Sequence, residues 1–344
     1  MVSQRKLFPL NMKGLQVCIT GANGFIGRRL VDELFQQGYS IRVLSRNSDS
    51  LFPNGVEVVI GDLTLSGCPL DQFLVGCELI FHCAGEVSNV EAMHLLHVNG
   101  TLRLLQAVLE ESAHSGQKIH WVQLSSVGVY GSTHDSDTTH RIVTEESMLS
   151  PVGEYEITKT RTDELVIQAS ESGLMTYSIL RPSNVFGEGM TNQSLFKMIN
   201  IIDRGLFFYI GKLGSSANYI HVDNVVEGLI CCGTMPSAKG RVFNLSDYCT
   251  LEYFIEIVAD ELGRKSPWLR IPEKVAYFLV TVLGWLPKSP LTQSRVKALI
   301  NRSIYPISSI QKELGYKHII SMEDGLRRLI DEYKKRLQQC GDSK

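Results

Sequence analysis

Short apolar runs alternate with amphipathic stretches along the first half of the chain. The apolar runs have the length of buried strands and lie at 15–20, 40–44, 56–60, 78–82, 118–124 and 177–180. Between them, apolar residues recur with helical spacing at 25–35, 95–109 and 158–169. Strand–helix–strand units repeated in this way predict right-handed crossovers and an α/β fold with a doubly wound parallel sheet.

The pattern changes after Pro182. Turn-rich segments lie at 184–189, 211–216 and 236–240, and no clear linker separates them from the first half. We therefore predict a dinucleotide-binding domain over 14–182, to which some later segments return, and a smaller C-terminal substrate lobe over 183–338. Near the end, Ser321 and Asp324 resemble a capping box that opens an amphipathic helix.

Composition excludes several classes of protein. Of the 344 residues 44% are hydrophobic, and 34 Lys and Arg face 36 Asp and Glu, so the net charge is -2. Disordered proteins have fewer hydrophobic residues and a higher net charge, and nucleic-acid-binding proteins carry an excess of Lys and Arg, so neither class fits this composition. The longest apolar stretch, 275–286, is shorter than the roughly 20 residues of a membrane span. We expect no transmembrane span.

Cysteine usage and the N-terminus indicate the compartment. The eight cysteines include no C-x-x-C pair, which favours reduced thiols over a disulfide framework or a metal site. The first 14 residues lack the apolar run of a secretory signal. We expect a cytoplasmic protein without a metal.

A glycine-rich turn follows the first predicted strand. Gly21, Gly24 and Gly27 allow a sharp turn, close approach of a pyrophosphate and tight helix packing. The helix that begins there presents free N–H groups and a partial positive charge to phosphate. The turn therefore predicts a dinucleotide site formed by Gly21, Asn23, Gly24, Phe25, Ile26 and Gly27.

The end of the second predicted strand bears on the choice of dinucleotide. A carboxylate there binds the adenosine ribose of NAD, whereas an Arg accommodates the 2′-phosphate of NADP. This chain has Ser45 followed by Arg46. We predict NADP, with NAD left open and a solvated role for Arg46 as the alternative.

A Tyr, a Lys and a Ser predict proton-transfer chemistry. Tyr155 and Lys159 are four residues apart and share a helix face, and an ammonium nearby favours the phenolate. Ser126 follows a strand-like run, at the carboxyl end where open α/β sheets bind ligands. It could hold a substrate oxygen beside Tyr155 for hydride transfer at an alcohol or ketone.

With these residues in place, the chain resembles the extended short-chain dehydrogenase/reductase family, whose members include nucleotide-sugar epimerases, dehydratases and reductases. The resemblance spans about 14–333 and rests on TGANGFIG, GDL, FHCAGE, VNGT, SSVGVYG, YEITK, LRPSNVFGEG, YIHVDNVVEG and FNLS. It implies a Rossmann-type domain, a smaller C-terminal substrate lobe and catalysis by Ser126, Tyr155 and Lys159. A homodimer is a further expectation. By the same resemblance, cofactor neighbours are expected at Asp62, Leu63, Ala84, Gly85, Asn99 and Pro182.

The resemblance also bears on which substrate class to expect. Val127 and Gly128 stand where the dehydratases carry an Asp-Glu pair, and Ala217 precedes the stretch before which many sugar epimerases have an Arg. Asn184 resembles a residue near the sugar diphosphate. Arg295 and Arg302 are replacement diphosphate contacts, or else a solvated helix face. The leading prediction is an NADP-preferring oxidoreductase or epimerase of a nucleotide-activated sugar.

Two alternatives remain open. The segment 271–287 is similar to an apolar helix in relatives of 3β-hydroxysteroid dehydrogenases, which meet membranes and hydrophobic substrates. That similarity makes an apolar alcohol the second substrate class and includes peripheral membrane contact among the expectations. The other alternative is a non-catalytic NADP sensor, against which the complete Ser126, Tyr155 and Lys159 set argues.

Overall fold

A computed structural model describes residues 14–48, 51–131, 140–283 and 292–341. Its elements, in chain order, are β1 (Gln16–Thr20), α1 (Phe25–Gln36), β2 (Ser40–Ser45), β3 (Glu57–Ile60), α2 (Leu70–Leu74), β4 (Leu79–His82), α3 (Val90–Met93), a π-helical stretch (His94–Gly100), α4 (Thr101–Ser115), β5 (Ile119–Leu124), a 3₁₀ turn (Val127–Tyr130), β6 (Arg141–Ile142), α5 (Glu154–Ser170), β7 (Met175–Pro182), β8 (Asn184–Phe186), α6 (Gln193–Asp203), β9 (Tyr209–Ile210), β10 (Ser216–His221), α7 (Val222–Thr234), a 3₁₀ turn (Pro236–Ala238), β11 (Arg241–Leu245), β12 (Asp247–Thr250), α8 (Leu251–Glu261), β13 (Arg270–Ile271), α9 (Glu273–Leu283), α10 (Gln293–Ile300), β14 (Ser303–Ile304), α11 (Ser308–Leu314) and α12 (Met322–Gly341).

The predicted doubly wound sheet is present. Seven parallel strands run in the order β11-β7-β5-β4-β1-β2-β3. Side chains alternate between its two faces: Val17 and Ile19 pack beneath α1 and α7, while Cys18 packs beneath α2, α4 and α5. The order reverses between β1 and β4, and their carboxyl ends open the crevice where such folds bind ligands.

Two predicted helices differ in detail from the structure. The π-helical turn His94–Gly100 overlaps the first part of the predicted helix 95–109, and a regular apolar spacing does not encode its wider winding. Helix α5 begins four residues before the predicted start, at Glu154. Its N-terminus is closed by Glu156, whose Oε2 accepts the backbone N–H groups of Val152 and Gly153 at 2.8 and 2.9 Å.

The second half of the chain divides between two cores. Helix α7 packs on the large sheet and β11 forms its edge. A smaller lobe is built on the three-stranded sheet β12-β10-β8 with α6, α8 and α12. The Tyr219 and Phe254 rings stack there at 4.6 Å. Ser321 accepts the backbone N–H of Asp324 at 3.1 Å and so caps α12, as the sequence predicts.

No helix in the described part of the chain is long and apolar enough to cross a bilayer. The apolar stretch that the sequence singles out, 275–286, is helical to Leu283 as part of α9. Its remaining residues lie outside the described ranges.

Candidate functional site

The glycine turn after β1 leaves no room for side chains. Gly21 has φ of +69°, and a Cβ on it would lie 2.5 Å from the backbone of Cys83 and Ala84. A Cβ on Gly27 would lie 2.2 Å from the Gly21 carbonyl oxygen. Helix α1 starts directly after Gly24 and has no acidic residue in its first turn. Its N-terminus therefore offers an uncompensated positive end to a pyrophosphate.

Beside this turn, the end of β2 is uncharged. Ser45 is buried, accepts a hydrogen bond from the Asn23 amide at 2.8 Å and donates one to the Asn47 carbonyl at 2.9 Å. Arg46 next to it is exposed. Arg28, on the first turns of α1, also reaches Asn23, at 3.5 Å. The place where a ribose 2′ group would sit is thus bordered by amide, hydroxyl and guanidinium groups.

Asp62 lies at the end of the neighbouring strand β3. Its Oδ1 accepts the backbone N–H and the hydroxyl of Thr64, both at 2.8 Å. Burial would raise the pKa of Asp62, but the Thr64 hydrogen bonds and the charge of Arg46 lower it overall. The carboxylate therefore stays ionised, as a turn residue bonded to its own loop.

Ser126 and Tyr155 meet at the carboxyl edge of the sheet. Ser126 follows β5 and accepts the backbone N–H of Gly128 at 3.1 Å, which fixes its hydroxyl at the head of the 3₁₀ turn. Tyr155 lies in the first turn of α5. Burial and then the charge of Asp163 raise the pKa of Tyr155 to about 12, and a hydrogen bond with Ser126 opposes the shift. The phenol is protonated at neutral pH.

Lys159, one turn along α5, is almost fully buried and donates to the Leu124 carbonyl at 2.9 Å. Burial lowers its pKa, while the charge of Asp163 raises it. Its Nζ lies 3.6 Å from the point where a Cβ on Gly85 would stand. In this structure the ammonium contacts the Leu124 carbonyl and the loop after β4, and the expectation that Lys159 favours the Tyr155 phenolate stays a prediction.

His97 is a site residue that the sequence analysis missed. The π-helical turn carries its ring edge-on to Tyr155, with the ring centroids 5.8 Å apart. Its Nε2 accepts the Glu86 N–H at 2.8 Å, so Nδ1 carries the proton and donates to Thr158 at 2.8 Å. Burial and then the charge of Lys159 lower the pKa of His97 to about 3. A neutral imidazole thus ties the loop after β4 to α5.

A buried polar network supports α5 from behind, and the sequence analysis missed it too. Asp163 pairs with Arg181 at 3.0 Å and accepts the Ser125 hydroxyl at 2.8 Å. Arg181 donates to the Tyr130 hydroxyl at 2.9 Å, and Tyr130 donates to Asn244 at 2.9 Å. Burial raises the pKa of Asp163, and the Arg181 charge counters this. Through Ser125, the network joins the segment after β5, where Ser126 lies, to the helix that carries Tyr155 and Lys159.

The remaining predicted cofactor residues are distributed around the crevice. The Ala84 N–H donates to Thr20 at 3.3 Å, which closes the loop after β4 over the end of β1. Leu63 is buried, Asn99 is half-buried in the π-helical turn, and Pro182 ends β7 as a buried residue. In the described ranges no group of three His, Cys, Asp or Glu side chains could hold a metal ion.

The predicted substrate residues have different surroundings. Asn184, on β8, is exposed and its amide donates to the Asn218 carbonyl at 3.2 Å. Arg302 donates to the carbonyls of Gly214, Lys212 and Leu213 at 3.1, 3.0 and 2.8 Å, so its guanidinium holds that loop. Arg295 is exposed on α10.

Comparison with known proteins gives one family and a wide range of relatives. Residues 17–246 match the sequence model of the NAD dependent epimerase/dehydratase family. Short-chain dehydrogenase/reductase family 42E member 1 of Xenopus laevis is 25% identical over 88% of this chain and 84% of its own length. The mouse sterol-4-alpha-carboxylate 3-dehydrogenase, decarboxylating, is 24% identical over 93% of this chain and 91% of its own.

Solved structures share the architecture. The UDP-glucuronic acid 4-epimerase from Bacillus cereus, in complex with NAD, superimposes with a TM-score of 0.68 over 94% of this chain and 99% of its own, at 17% identity. At that identity the likeness concerns the fold.

Proposed function

Because the chain belongs to the NAD-dependent epimerase/dehydratase family and is an extended short-chain dehydrogenase/reductase enzyme, we propose that it is an oxidoreductase that transfers hydride between a nicotinamide and a carbinol or keto carbon. The position of Ser126 at the head of its 3₁₀ turn beside Tyr155 in the first turn of α5, at the carboxyl edge of the sheet, carries this proposal. When bound, the dinucleotide supplies or accepts the hydride. A cytoplasmic location and a homodimer stay predictions.

The residues of this chain would orient the substrate oxygen, move the proton and bind the dinucleotide. Ser126 is held by Gly128 and can direct its hydroxyl proton to a substrate oxygen. Tyr155 moves a proton to or from that oxygen. Lys159 and Gly85 border the dinucleotide crevice, where the ammonium can hold a ribose hydroxyl. The protonated phenol of Tyr155 can give its proton to the oxygen of a keto substrate, and in the reverse reaction the phenolate takes a proton from the alcohol.

For the substrate, the charges of the lobe favour an apolar alcohol or ketone. A nucleotide sugar brings a diphosphate that needs charge-assisted donors. Three backbone carbonyls already occupy Arg302, and buried Ala217 offers no charge. The sterol-named relative spans most of this chain, which supports the same class. A nucleotide-activated sugar is the second candidate, supported by the exposed amide-bearing Asn184 and the exposed Arg295 on α10.

A substrate comparison separates the two classes. With NADP present, we expect a 3β-hydroxysteroid to raise the melting temperature more than UDP-glucose does, because a ligand stabilises the state that binds it. Arg302→Ala should lower the melting temperature without changing KM, since it removes loop contacts. Arg241→Ala, at an exposed arginine on the edge strand β11, serves as the control. If UDP-glucose is the better ligand and its KM rises in Arg302→Ala at unchanged stability, the nucleotide-sugar hypothesis replaces ours.

For the cofactor, we propose NADP over NAD. Ser45 places no negative charge where a 2′-phosphate would sit, and its oxygen is fixed between Asn23 and Asn47. Arg46 is exposed next to that place, and its guanidinium carries donors matched to phosphate oxygens. A charged hydrogen bond of this kind contributes about 1.5–3 kcal/mol.

We expect the double variant Ser45→Asp, Arg46→Asn to weaken NADP binding by roughly tenfold to a hundredfold and to bring NAD to parity or better. The added carboxylate repels the 2′-phosphate, and the guanidinium is lost. Titration of both dinucleotides by protein fluorescence measures the change, with Arg42→Lys as a cation control on the same strand. Tighter NAD than NADP binding by the wild type would show that Arg46 is a solvated charge.

A further inference from the structure

One face of α5 carries three ionisable side chains. Tyr155, Lys159 and Asp163 follow one another at intervals of four residues, so they lie along the same side of the helix. Lys159 and Asp163 are almost fully buried, with 4% and 1% of their surface exposed. Asp163 is two turns from Tyr155, or about 12 Å along the helix axis. The proposed function uses the first two side chains and leaves the carboxylate without a role in the chemistry.

Hydrogen bonds fix the Asp163 carboxylate beside the segment that carries Ser126. Its Oδ2 accepts the Ser125 hydroxyl at 2.8 Å and pairs with Arg181, on β7, at 3.0 Å. Oδ1 is buried and has no hydrogen-bond partner in the described structure. Burial raises the pKa of Asp163, whereas the Arg181 charge and the Ser125 hydrogen bond oppose that shift. The ion pair keeps the carboxylate ionised, so a fixed negative charge lies inside the protein, one turn from Lys159.

The other titratable groups near this face are neutral or turned away from it. Burial is the main cause that lowers the pKa values of His82 and His97 to about 3. Burial also raises the pKa of the Cys83 thiol to about 12. Glu86 and Glu156 direct their carboxylates to backbone N–H groups of the adjoining loops. In the described part of the chain, the negative charge that acts on this face from the interior is therefore that of the α5 carboxylate.

We infer that Asp163 is a positioning residue, whose charge keeps Tyr155 in its phenol form and Lys159 in its ammonium form. The inference rests on the proposed function, in which Tyr155 moves the proton and Lys159 holds the dinucleotide. A buried anion repels a phenolate and attracts an ammonium. Over about 12 Å, at an effective dielectric constant of about 20, one unit charge changes an ionisation equilibrium by about tenfold.

The pKa directions of the two partners agree with this assignment. Burial and then the Asp163 charge raise the pKa of Tyr155 to about 12. Burial lowers the pKa of Lys159, and the Asp163 charge opposes that shift. Removal of the Asp163 charge should therefore make both groups lose their protons at lower pH.

Asp163→Asn tests this inference, because it removes the charge and keeps the shape of the side chain. With NADP and a 3β-hydroxysteroid as the alcohol, we expect the pH at which the oxidation rate levels off to fall by about one pH unit, since the phenolate forms more readily. NADP affinity, measured by fluorescence titration, should fall more steeply towards alkaline pH than in the wild type, because Lys159 loses its proton earlier.

Carbon-13 NMR of the protein with tyrosine labelled at the ζ carbon measures the ionisation of Tyr155 without any substrate. The signal that Tyr155→Phe lacks belongs to Tyr155, and in Asp163→Asn it should begin to shift about one pH unit lower than in the wild type. Asp163→Glu keeps the charge and should keep the wild-type pH dependence of both the signal and the oxidation rate. Glu164→Gln removes the neighbouring, half-exposed charge and should change neither, because solvent screens it.

A second variant covers a failure to fold. If Asp163→Asn does not fold, Asp163→Asn combined with Arg181→Met takes its place, because that pair leaves no unpaired charge in the interior. The inference is overturned if the Tyr155 signal of the charge-removing variant shifts at the wild-type pH, or if Asp163→Glu moves it as far as Asp163→Asn does. A wild type that oxidises no alcohol, together with the expected NMR shift, would contradict the proposed function and leave this inference supported.

Discussion

Tyr155→Phe is expected to lower turnover by about two to four orders of magnitude while cofactor affinity stays close to that of the wild type. The Tyr155 ring lies edge-on to the His97 ring, and phenylalanine preserves that contact. Only the hydroxyl that bonds Ser126 is removed, and with it the group that can move a proton to the substrate oxygen. Steady-state kinetics and fluorescence titration of NADP measure the two effects separately.

A second tyrosine provides the control. Tyr177 pairs with Trp121 near the amino end of β7, at the opposite end of the strand from the site. Tyr177→Phe should therefore keep both turnover and affinity. Near-full activity of Tyr155→Phe would contradict the assigned proton transfer. A wild type that binds NADP but turns over neither a steroid nor a nucleotide sugar would favour the sensor.

Arg181→Met is expected to destabilise the folded protein by about 3–5 kcal/mol. Asp163 would remain in the interior without its cation. Its other oxygen, Oδ1, has no hydrogen-bond partner in the described structure and would not compensate for the loss. The Tyr130 hydroxyl would lose its donor as well. Urea unfolding followed by circular dichroism measures the loss.

The pair Arg161–Glu164, on the same helix as Asp163, supplies the comparison. Its N···O distance of 2.9 Å is as short, but both side chains are about half exposed. Arg161→Met should change stability by less than about 1 kcal/mol, because solvent screens such pairs. If the two substitutions lowered the free energy of unfolding equally, burial of the Arg181–Asp163 pair would not determine how much it contributes to stability.

Local patterns predict the frame of this protein because they act over few residues. The apolar runs mark the strands β1 to β5. At Gly21 and Gly27 a Cβ would lie within 2.5 Å and 2.2 Å of backbone atoms, so both positions need glycine. The same logic places Ser126 at a strand end and Tyr155 near Lys159 on one helix. Each of these inferences uses residues that are close in the chain.

The supporting contacts could not be read in this way. His97 meets Thr158 across 61 residues, and Tyr130 meets Asn244 across 114. A sequence also does not show that three carbonyls fold around the Arg302 guanidinium, so its charge looks available when it is not. The π-helical turn that aims His97 has no periodic signature. These features arise from tertiary packing.

The edge position of β11 makes the two halves of the chain inseparable. The polypeptide leaves the large sheet after β7, builds β8 to β10 in the lobe, returns through α7 and β11, and leaves again at β12. A fragment cut after Pro182 would lack β11 and bare the hydrogen-bonding groups of β7, an open edge that invites aggregation. Neither half can be expressed as a continuous piece with its own complete sheet. A transfer of the lobe to another scaffold would have to include each segment in which the chain passes between the lobe and the large sheet.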